Sequence, residues 1–559
     1  MKCAIRILLL AAFAATLASA QTTFQHIIVV VQENRTPDNL FQGLRTPPYG
    51  TCPSPYNISP NGTVIVPPGT SGVQVALTPD PLYDDLDPDH GNKSFVQMYN
   101  SGGVNAGPTR VGCSTQDKWS QYCCPNDASE CMINGSWVFN WLHYVENDNF
   151  EYNDKFYNRL DPYLALATQY GWANYFFQTN QGPSMPAHQF LLSGTSASTA
   201  PPNAFFAAEN PGNNVYDKDT GCTAPASETV ALIDASGKEN TNKPIYPCFD
   251  HNTLPDLLDN ASPSRLTWKY YANTTGSIWT APNAIKHLCG PVPTDSPGDV
   301  CEGQDWLNDV YPYIGTGKIL LDLGVNGTSN SACQLPAVSW VIPDGNWSDH
   351  AGLMTNGNAF GPAWVGDIVD AVGGTDNTGA KLPIQCYDVI NGKNVPYWQD
   401  TAILITWDDW GGWYDHVEPF KVLLNTQNNP CKVWGCGYTY GFRVPFMFVS
   451  AYTPQKFVSG TAVGNGSTCP STDALHCYDF GSILKFIESN FGLLEIAEKG
   501  FNYADHFANP LDTHFYSSQF RQFQPIPSPV SANCFINPTI QGCFPNYTGP
   551  VDPDDDAIE

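Results

Sequence analysis

The sequence predicts an α/β fold built on a mostly parallel central sheet with long loop insertions. Short runs of β-branched and apolar residues, without the alternation of a one-faced strand, suit strands buried on both sides. Helical segments lie between those runs, and a polar or acidic cluster closes each of them.

Taken in order, His26–Val31 (HIIVVV) is the first such run, and it stops at Gln32-Glu33-Asn34-Arg35. Residues 163–170 read as a helix that leads through 172–177 into Gln181-Gly182-Pro183-Ser184-Met185-Pro186. Residues 335–342 (LPAVSWVI) form a second strand, which ends at Pro343-Asp344 and soon reaches His350. Residues 402–407 (AILITW) form a third, closed by Asp408-Asp409. Residues 446–452 form a fourth, and 482–491 (SILKFIESNF) an amphipathic helix. Segments 44–130, 197–250 and 273–330 are rich in Gly, Pro, Asn and Ser and read as insertions decorating one domain. The expected organisation is a leader at 1–20, a catalytic domain at 21–520 and a C-terminal extension at 521–559.

Composition narrows the classes. The 559 residues carry 25 basic against 53 acidic side chains, a net charge of −28, which disfavours nucleic acid and anionic membranes as electrostatic partners. With 42% hydrophobic and 13% aromatic residues, a large packed core is available and a disordered chain is excluded. Lys2 and Arg6, the apolar stretch 7–17 and Ala18-Ser19-Ala20 read as a cleavable secretory leader, so a secreted or periplasmic location is expected. No later stretch reaches the roughly 18 apolar residues of a membrane span. Eighteen cysteines suit an oxidising compartment. Cys113, Cys123, Cys124 and Cys131 cluster, and Cys431/Cys436, Cys469/Cys477 and Cys534/Cys543 are close in sequence. Local loop-stapling disulfides are expected, with the pairing open and at least one thiol left over once Cys3 leaves with the leader.

In open α/β sheets ligands sit just past the carboxyl ends of the strands. Here those ends carry Glu33-Asn34, Ser184, His350 and Asp408-Asp409. Carboxylates, an amide oxygen and a hydroxyl are hard ligands for a divalent cation. A cation there lowers the pKa of the Ser184 hydroxyl and offsets charge on a transferring phosphoryl group. Taken singly each piece is weak, since Asp-Asp at a strand end is often a solvated turn.

The set together resembles a known family. Glu33-Asn34-Arg35-Thr36-Pro37-Asp38-Asn39-Leu40-Phe41 is similar to the opening motif of the secreted phosphoesterases that include bacterial phospholipases C and an acid phosphatase branch. Gly182-Pro183-Ser184-Met185-Pro186, followed by Leu192-Ser193-Gly194-Thr195-Ser196, resembles their nucleophile segment. The stretch from Trp407 to Val417 (WDDWGGWYDHV) resembles their late metal motif, with Gly441–Pro445 and Leu484–Glu488 following in order. The resemblance runs from about Phe24 to about Leu493 and implies an alkaline-phosphatase-like three-layer sandwich.

It also implies roles. Ser184 becomes the nucleophile of a phosphoryl-enzyme intermediate. Glu33, Asn34, Asp408 and Asp409 hold one divalent metal (Ca, Mg, Mn, Fe or Zn), with Ser184 completing the shell. His90 and His350 contact phosphate oxygens or protonate the leaving alkoxide. Arg35 is either a phosphate clamp or part of a structural salt bridge. His416 either touches substrate or orients the metal loop. Arg443 reads as structural.

Departures from the family pattern stand at Ala187-His188, where many relatives have Asn, and at Asn283 and His287 in place of a histidine pair. Asp479-Phe480 replaces a common Asp-His. These outer positions line the leaving-group side, so His188 counts among the substrate-binding candidates and the substrate stays open between phosphomonoesters and phospholipid head groups. A Ser nucleophile fits the acid phosphatase branch better than the haemolytic phospholipases. The contrasting expectation is a non-catalytic secreted protein that binds carbohydrate or a surface through Trp407, Trp410 and Trp413. The retention of Ser184 beside four oxygen ligands weighs against it, since binding needs no nucleophile.

Overall fold

The computed structural model describes residues 24–551, except 65–72, 83–86, 89, 100–131, 134–135, 138–140, 197–204, 212–219, 235–236, 238, 291–299, 352–359, 420–437, 462–476, 497–502, 512–514 and 545–546. The expected leader, the cysteines at 113–131, Cys431, Cys436, Cys469 and the acidic tail 552–559 lie outside the described residues.

Seven strands form the central sheet: β1 (His26–Gln32), β2 (Gly171–Ala173), β3 (Trp268–Tyr271), β4 (Val338–Val341), β5 (Thr401–Trp407), β6 (Phe446–Ser450) and β7 (Phe457–Ser459). Their order is β3-β4-β1-β5-β6-β2-β7. β1 lies between β4 and β5, parallel to both, and β3 extends the parallel set beyond β4. β6 runs antiparallel to β5 and β2, and β7 returns parallel to β2. Every residue of β1 and β5 is buried, which explains their unbroken apolar sequences.

Among the described helices are α1 (Pro37–Leu40), α2 (Asn92–Met98), α3 (Asp161–Gln169), α4 (Ser184–Ser193), α5 (Gly361–Val372) and α6 (Phe480–Phe491), and α3, α4 and α6 pack on the sheet. The register aligns Trp340, Val29, Leu404 and Phe448 across one face. There the Trp340 indole donates to Leu191 O of α4, and Phe448 packs edge-on to Phe486 of α6. Trp407, of opposite parity, faces Tyr163 of α3, which packs beside α5.

Boundaries differ from expectation where local chemistry intervenes. β4 begins after Pro336, which has no N–H to give to a ladder and whose carbonyl faces His26 Nδ1 at 2.7 Å. β6 ends at Ser450 because its hydroxyl accepts from Tyr452 N at 3.1 Å and starts a turn. α6 starts at Phe480 rather than Ser482, since Asp479 and Ser482 form a capping box.

Disulfides join Cys222–Cys248, Cys289–Cys301, Cys333–Cys386 and Cys534–Cys543, Cys477 is also bonded, and Cys52 is a free thiol. Insertion 197–250 carries its own three-stranded sheet. The C-terminal residues Ile526, Val530 and Phe535 are fully buried in the main core. Among the described residues, no helix is long and apolar enough to cross a membrane.

Candidate active site

β1 and β5 end in register, Gln32 opposite Trp407, so the residues that follow each strand meet. Asp408 N donates to Gln32 O at 2.8 Å and Arg35 N to Asp409 O at 3.0 Å. Asp408 Oδ1 accepts from Asn34 N at 3.0 Å and from Asp409 N at 2.7 Å. Asn34 sits at φ 57°, a left-handed conformation that Asn tolerates better than most residues and that is often kept at functional sites. Gly411, at φ 61°, closes the turn: a Cβ there would lie 2.2 Å from Asn34 O.

Ser184 is the first residue of α4, and its Oγ donates to Asp409 Oδ2 at 3.1 Å. The positive end of the helix dipole therefore faces the acidic cluster. One turn along the same face, His188 Nε2 lies 3.2 Å from Glu33 Oε1 and 3.6 Å from Asp408 Oδ2. Burial pushes His188 down to about 4, with the neighbouring Asp408 opposing, so the ring is neutral at pH 7. Its ring stacks on Trp279 at 6.2 Å, and Trp279 also packs against His350 at 6.2 Å.

His90 and His350 are brought together, their ring centres 6.0 Å apart. His90 Nδ1 lies 2.9 Å from Pro88 O, so it carries the proton and Nε2 is left to accept from Asn34 Nδ2 at 3.0 Å. That pairing turns the Asn34 amide oxygen away from His90. His90 Nε2 is also 3.9 Å from Asp409 Oδ2. His350 is positioned through Asp349, whose carboxylate accepts from Tyr163 and Trp407 at 2.7 and 3.0 Å. Gln32 Oε1 accepts from Asp349 N at 3.0 Å and ties that loop to the end of β1.

Glu33, Asn34, Ser184, Asp408 and Asp409 are all fully buried. Three carboxylates in one dry cluster demand a counter-charge. Asn34 Oδ1 and Asp408 Oδ2 have no hydrogen-bond partner among the described residues. Hard oxygen donors left without protons to accept are what a divalent cation satisfies.

The other candidates are held within the fold. Arg35 donates from Nε to Asp349 O at 2.8 Å, from Nη1 to Asn39 Oδ1 at 3.2 Å and from Nη2 to Leu82 O at 3.3 Å, and its guanidinium lies over Trp413. His416 uses both ring nitrogens on the protein, Nδ1 on Asp38 at 2.7 Å and Nε2 on Asn57 Oδ1 at 3.0 Å. Arg443 clamps Asp415 bidentately at 2.8 and 2.9 Å. Asn283 Nδ2 donates to the Thr220 carbonyl, His287 pairs with Asp256, and Asp479 caps α6. None of these three joins the cluster around Ser184. Trp279 was not singled out from the sequence, because no spacing motif links a loop tryptophan to Ser184. His188 did carry a signal, the four-residue interval from Ser184 on a helix.

A model of the Phosphoesterase family matches residues 24–494. Among characterised proteins the chain is similar to phospholipase C B of Mycobacterium tuberculosis, 24% identical over 500 residues that span 84% of this chain and 74% of that protein. It is similar to the non-hemolytic phospholipase C of Pseudomonas aeruginosa, 21% identical over 301 residues, 49% of this chain and 34% of that one. A shorter match, 33% identical over 89 residues, covers 15% of this chain and 17% of the non-specific phospholipase C6 of Arabidopsis thaliana.

Proposed function

The chain belongs to the Phosphoesterase family, hydrolases that act on phosphate esters, and on that premise we propose that Ser184 is the nucleophile of a metal-dependent phosphoric ester hydrolase. One observation carries the reading: Ser184 Oγ, at a helix N-terminus, donates to Asp409 beside three further buried oxygen ligands. Glu33, Asn34, Asp408 and Asp409 hold the metal, and the architecture is of the alkaline-phosphatase-like sandwich type. The metal, when bound, acidifies the serine hydroxyl and offsets phosphoryl charge.

Ser184 Oγ attacks phosphorus, and its proton passes to Asp409 Oδ2. The bond to the leaving alkoxide breaks while His90 or His350, entering the step protonated at Nε2, gives that proton to the oxygen, so an alcohol departs. Water then attacks the phosphoryl-serine and gives a proton back to the same histidine, the bond from phosphorus to Ser184 Oγ breaks, phosphate leaves, and Asp409 returns its proton to Ser184 Oγ. The first turn of α4 favours the anionic group being transferred.

A soluble phosphomonoester is the first substrate class, in keeping with the serine nucleophile and the −28 net charge. A zwitterionic phospholipid head group is the second, favoured by the names of the three relatives given above, each a phospholipase C. The test is release of p-nitrophenol from p-nitrophenyl phosphate and from p-nitrophenylphosphorylcholine, before and after chelation. Chelator-sensitive turnover of the monoester alone supports the first class, and preference for the diester the second. Ser184→Ala is expected to lower kcat by roughly 1,000-fold or more with an unchanged melting temperature. Full turnover by that variant would overturn the nucleophile assignment.

A further inference from the structure

We propose that His188 is a nitrogen ligand of the metal held by Glu33, Asn34, Asp408 and Asp409, and that this mixed shell selects a borderline ion of the Zn, Fe or Co class over Ca or Mg. The inference rests on the metal-dependent reading and deepens it.

His188 Nε2, a Glu33 oxygen and an Asp408 oxygen all lie within 4.8 Å of one another. The separations from Nε2 are 3.2 Å to Glu33 Oε1 and 3.6 Å to Asp408 Oδ2. Two donors bound to one ion at about 2.0–2.2 Å stand about 2.8–3.1 Å apart when cis in an octahedral shell and about 3.3–3.6 Å apart in a tetrahedral one. Both separations are close to these spacings. A hydrogen bond explains only one of them, since Nε2–H can be given to Glu33 while 3.6 Å is too long for a second bond. Asp408 Oδ2 and Asn34 Oδ1 would then remain buried with no hydrogen-bond partner among the described residues. A single cation among these donors satisfies all of them.

The imidazole is also prepared for ligation. It lies four residues after Ser184 on α4, and its ring stacks on that of Trp279. His188 Nδ1 is buried and has no hydrogen-bond partner among the described residues, so the ring's polar contacts in the fold are those of Nε2 with Glu33 and Asp408, and ligation requires the ring proton to sit on Nδ1. An all-oxygen shell suits Mg and Ca, whereas an imidazole nitrogen shifts preference toward Zn, Fe and Co.

The test uses the full mature protein, stripped and reloaded from an equimolar mixture of Ca, Mg, Mn, Fe(II), Co and Zn. Bound metals are counted by mass spectrometry, and X-ray absorption of the zinc-loaded wild type reads imidazole scattering. The expected result is retention of the borderline metals, one imidazole in the shell, and a loss of zinc affinity by about tenfold or more in His188→Gln with Mg affinity unchanged. Zinc bound without imidazole scattering, or equally tight zinc binding by His188→Gln, would overturn the inference and leave the metal-dependent reading standing. No divalent ion bound by the wild type would overturn both. Because the scattering is read on the wild type, the outcome does not depend on the variant folding.

Discussion

At Gly411 the left-handed backbone and the missing side chain act together. Any Cβ would meet Asn34 O at 2.2 Å, so the Asp408–Gly411 turn and Asn34 can approach only if this residue is glycine. Gly411→Ala is expected to push Asn34 out of its position beside Asp408. A displacement of the order of 1 Å costs about 100-fold in rate. Steady-state kinetics with a parallel metal count checks this, and an alanine variant with normal kcat and normal metal content would refute it. The same scale explains Asn34 itself: it tolerates φ 57°, and His90 leaves its amide oxygen free for a cation. Asn34 was legible in the sequence as a ligand candidate, and Gly411 as part of the 407–417 motif. The orientation of the Asn34 amide was not, because it depends on a histidine 56 residues away.

Among the elements, the loop after β5 is fastened by a buried charge network. Arg443, fully buried, pairs with Asp415 and also donates from Nη1 to the Asn57 and Asn174 carbonyls. Burial alone would raise Asp38, but His416 and the Arg443 guanidinium more than offset it and hold it below the usual carboxylate range. The network links α1, which follows the Glu33-Asn34 segment, to the loop that bears Asp408-Asp409. Arg443→Met leaves the buried Asp415 uncompensated and Asp38 with His416 as its remaining cation, and is expected to cost about 3–5 kcal/mol of stability. Chemical denaturation measures it, and a loss below about 1 kcal/mol would show that the network is not a fastening. Arg443 was readable from the sequence as structural. The double fixing of His416 was not, since Asp38 and Asn57 lie more than 350 residues away in the chain.

For the whole molecule, buried acids set the response to pH. Burial pushes Asp370 up to about 8, Asp400 to about 7, and Asp344, Asp349 and Asp479 to about 6, while Glu488, next to Asp505, reaches about 10. Each keeps its proton in the fold over a range where the unfolded chain has released it above about pH 4. The folded state therefore binds more protons, and stability falls as pH rises through that window. His143, His188 and His251, all lowered to about 4 by burial, act in the opposite sense below about pH 6.5, but they are fewer. The melting temperature is expected to climb as pH is lowered from 8 to about 5, and the 53 acidic against 25 basic side chains add to that trend. A melting series over that range checks it, and a flat or rising trend toward pH 8 would count against it.

What the sequence determined by itself was the frame: buried strands named by their apolar runs, oxygen-bearing side chains at the strand ends, and a serine in the Gly-Pro-Ser segment after residues 172–177. These follow from local periodicity and from motifs that hold chemistry within a few residues. Only the tertiary structure decided that His188 meets Glu33 and Asp408, that Trp279 backs it, and that β6 runs antiparallel to β5. Such pairings join residues tens to hundreds of positions apart, and strand direction depends on how the connecting chain returns. The register of β1 against β5 brings Asn34 to Asp408, and that contact between distant segments is what assembles the site.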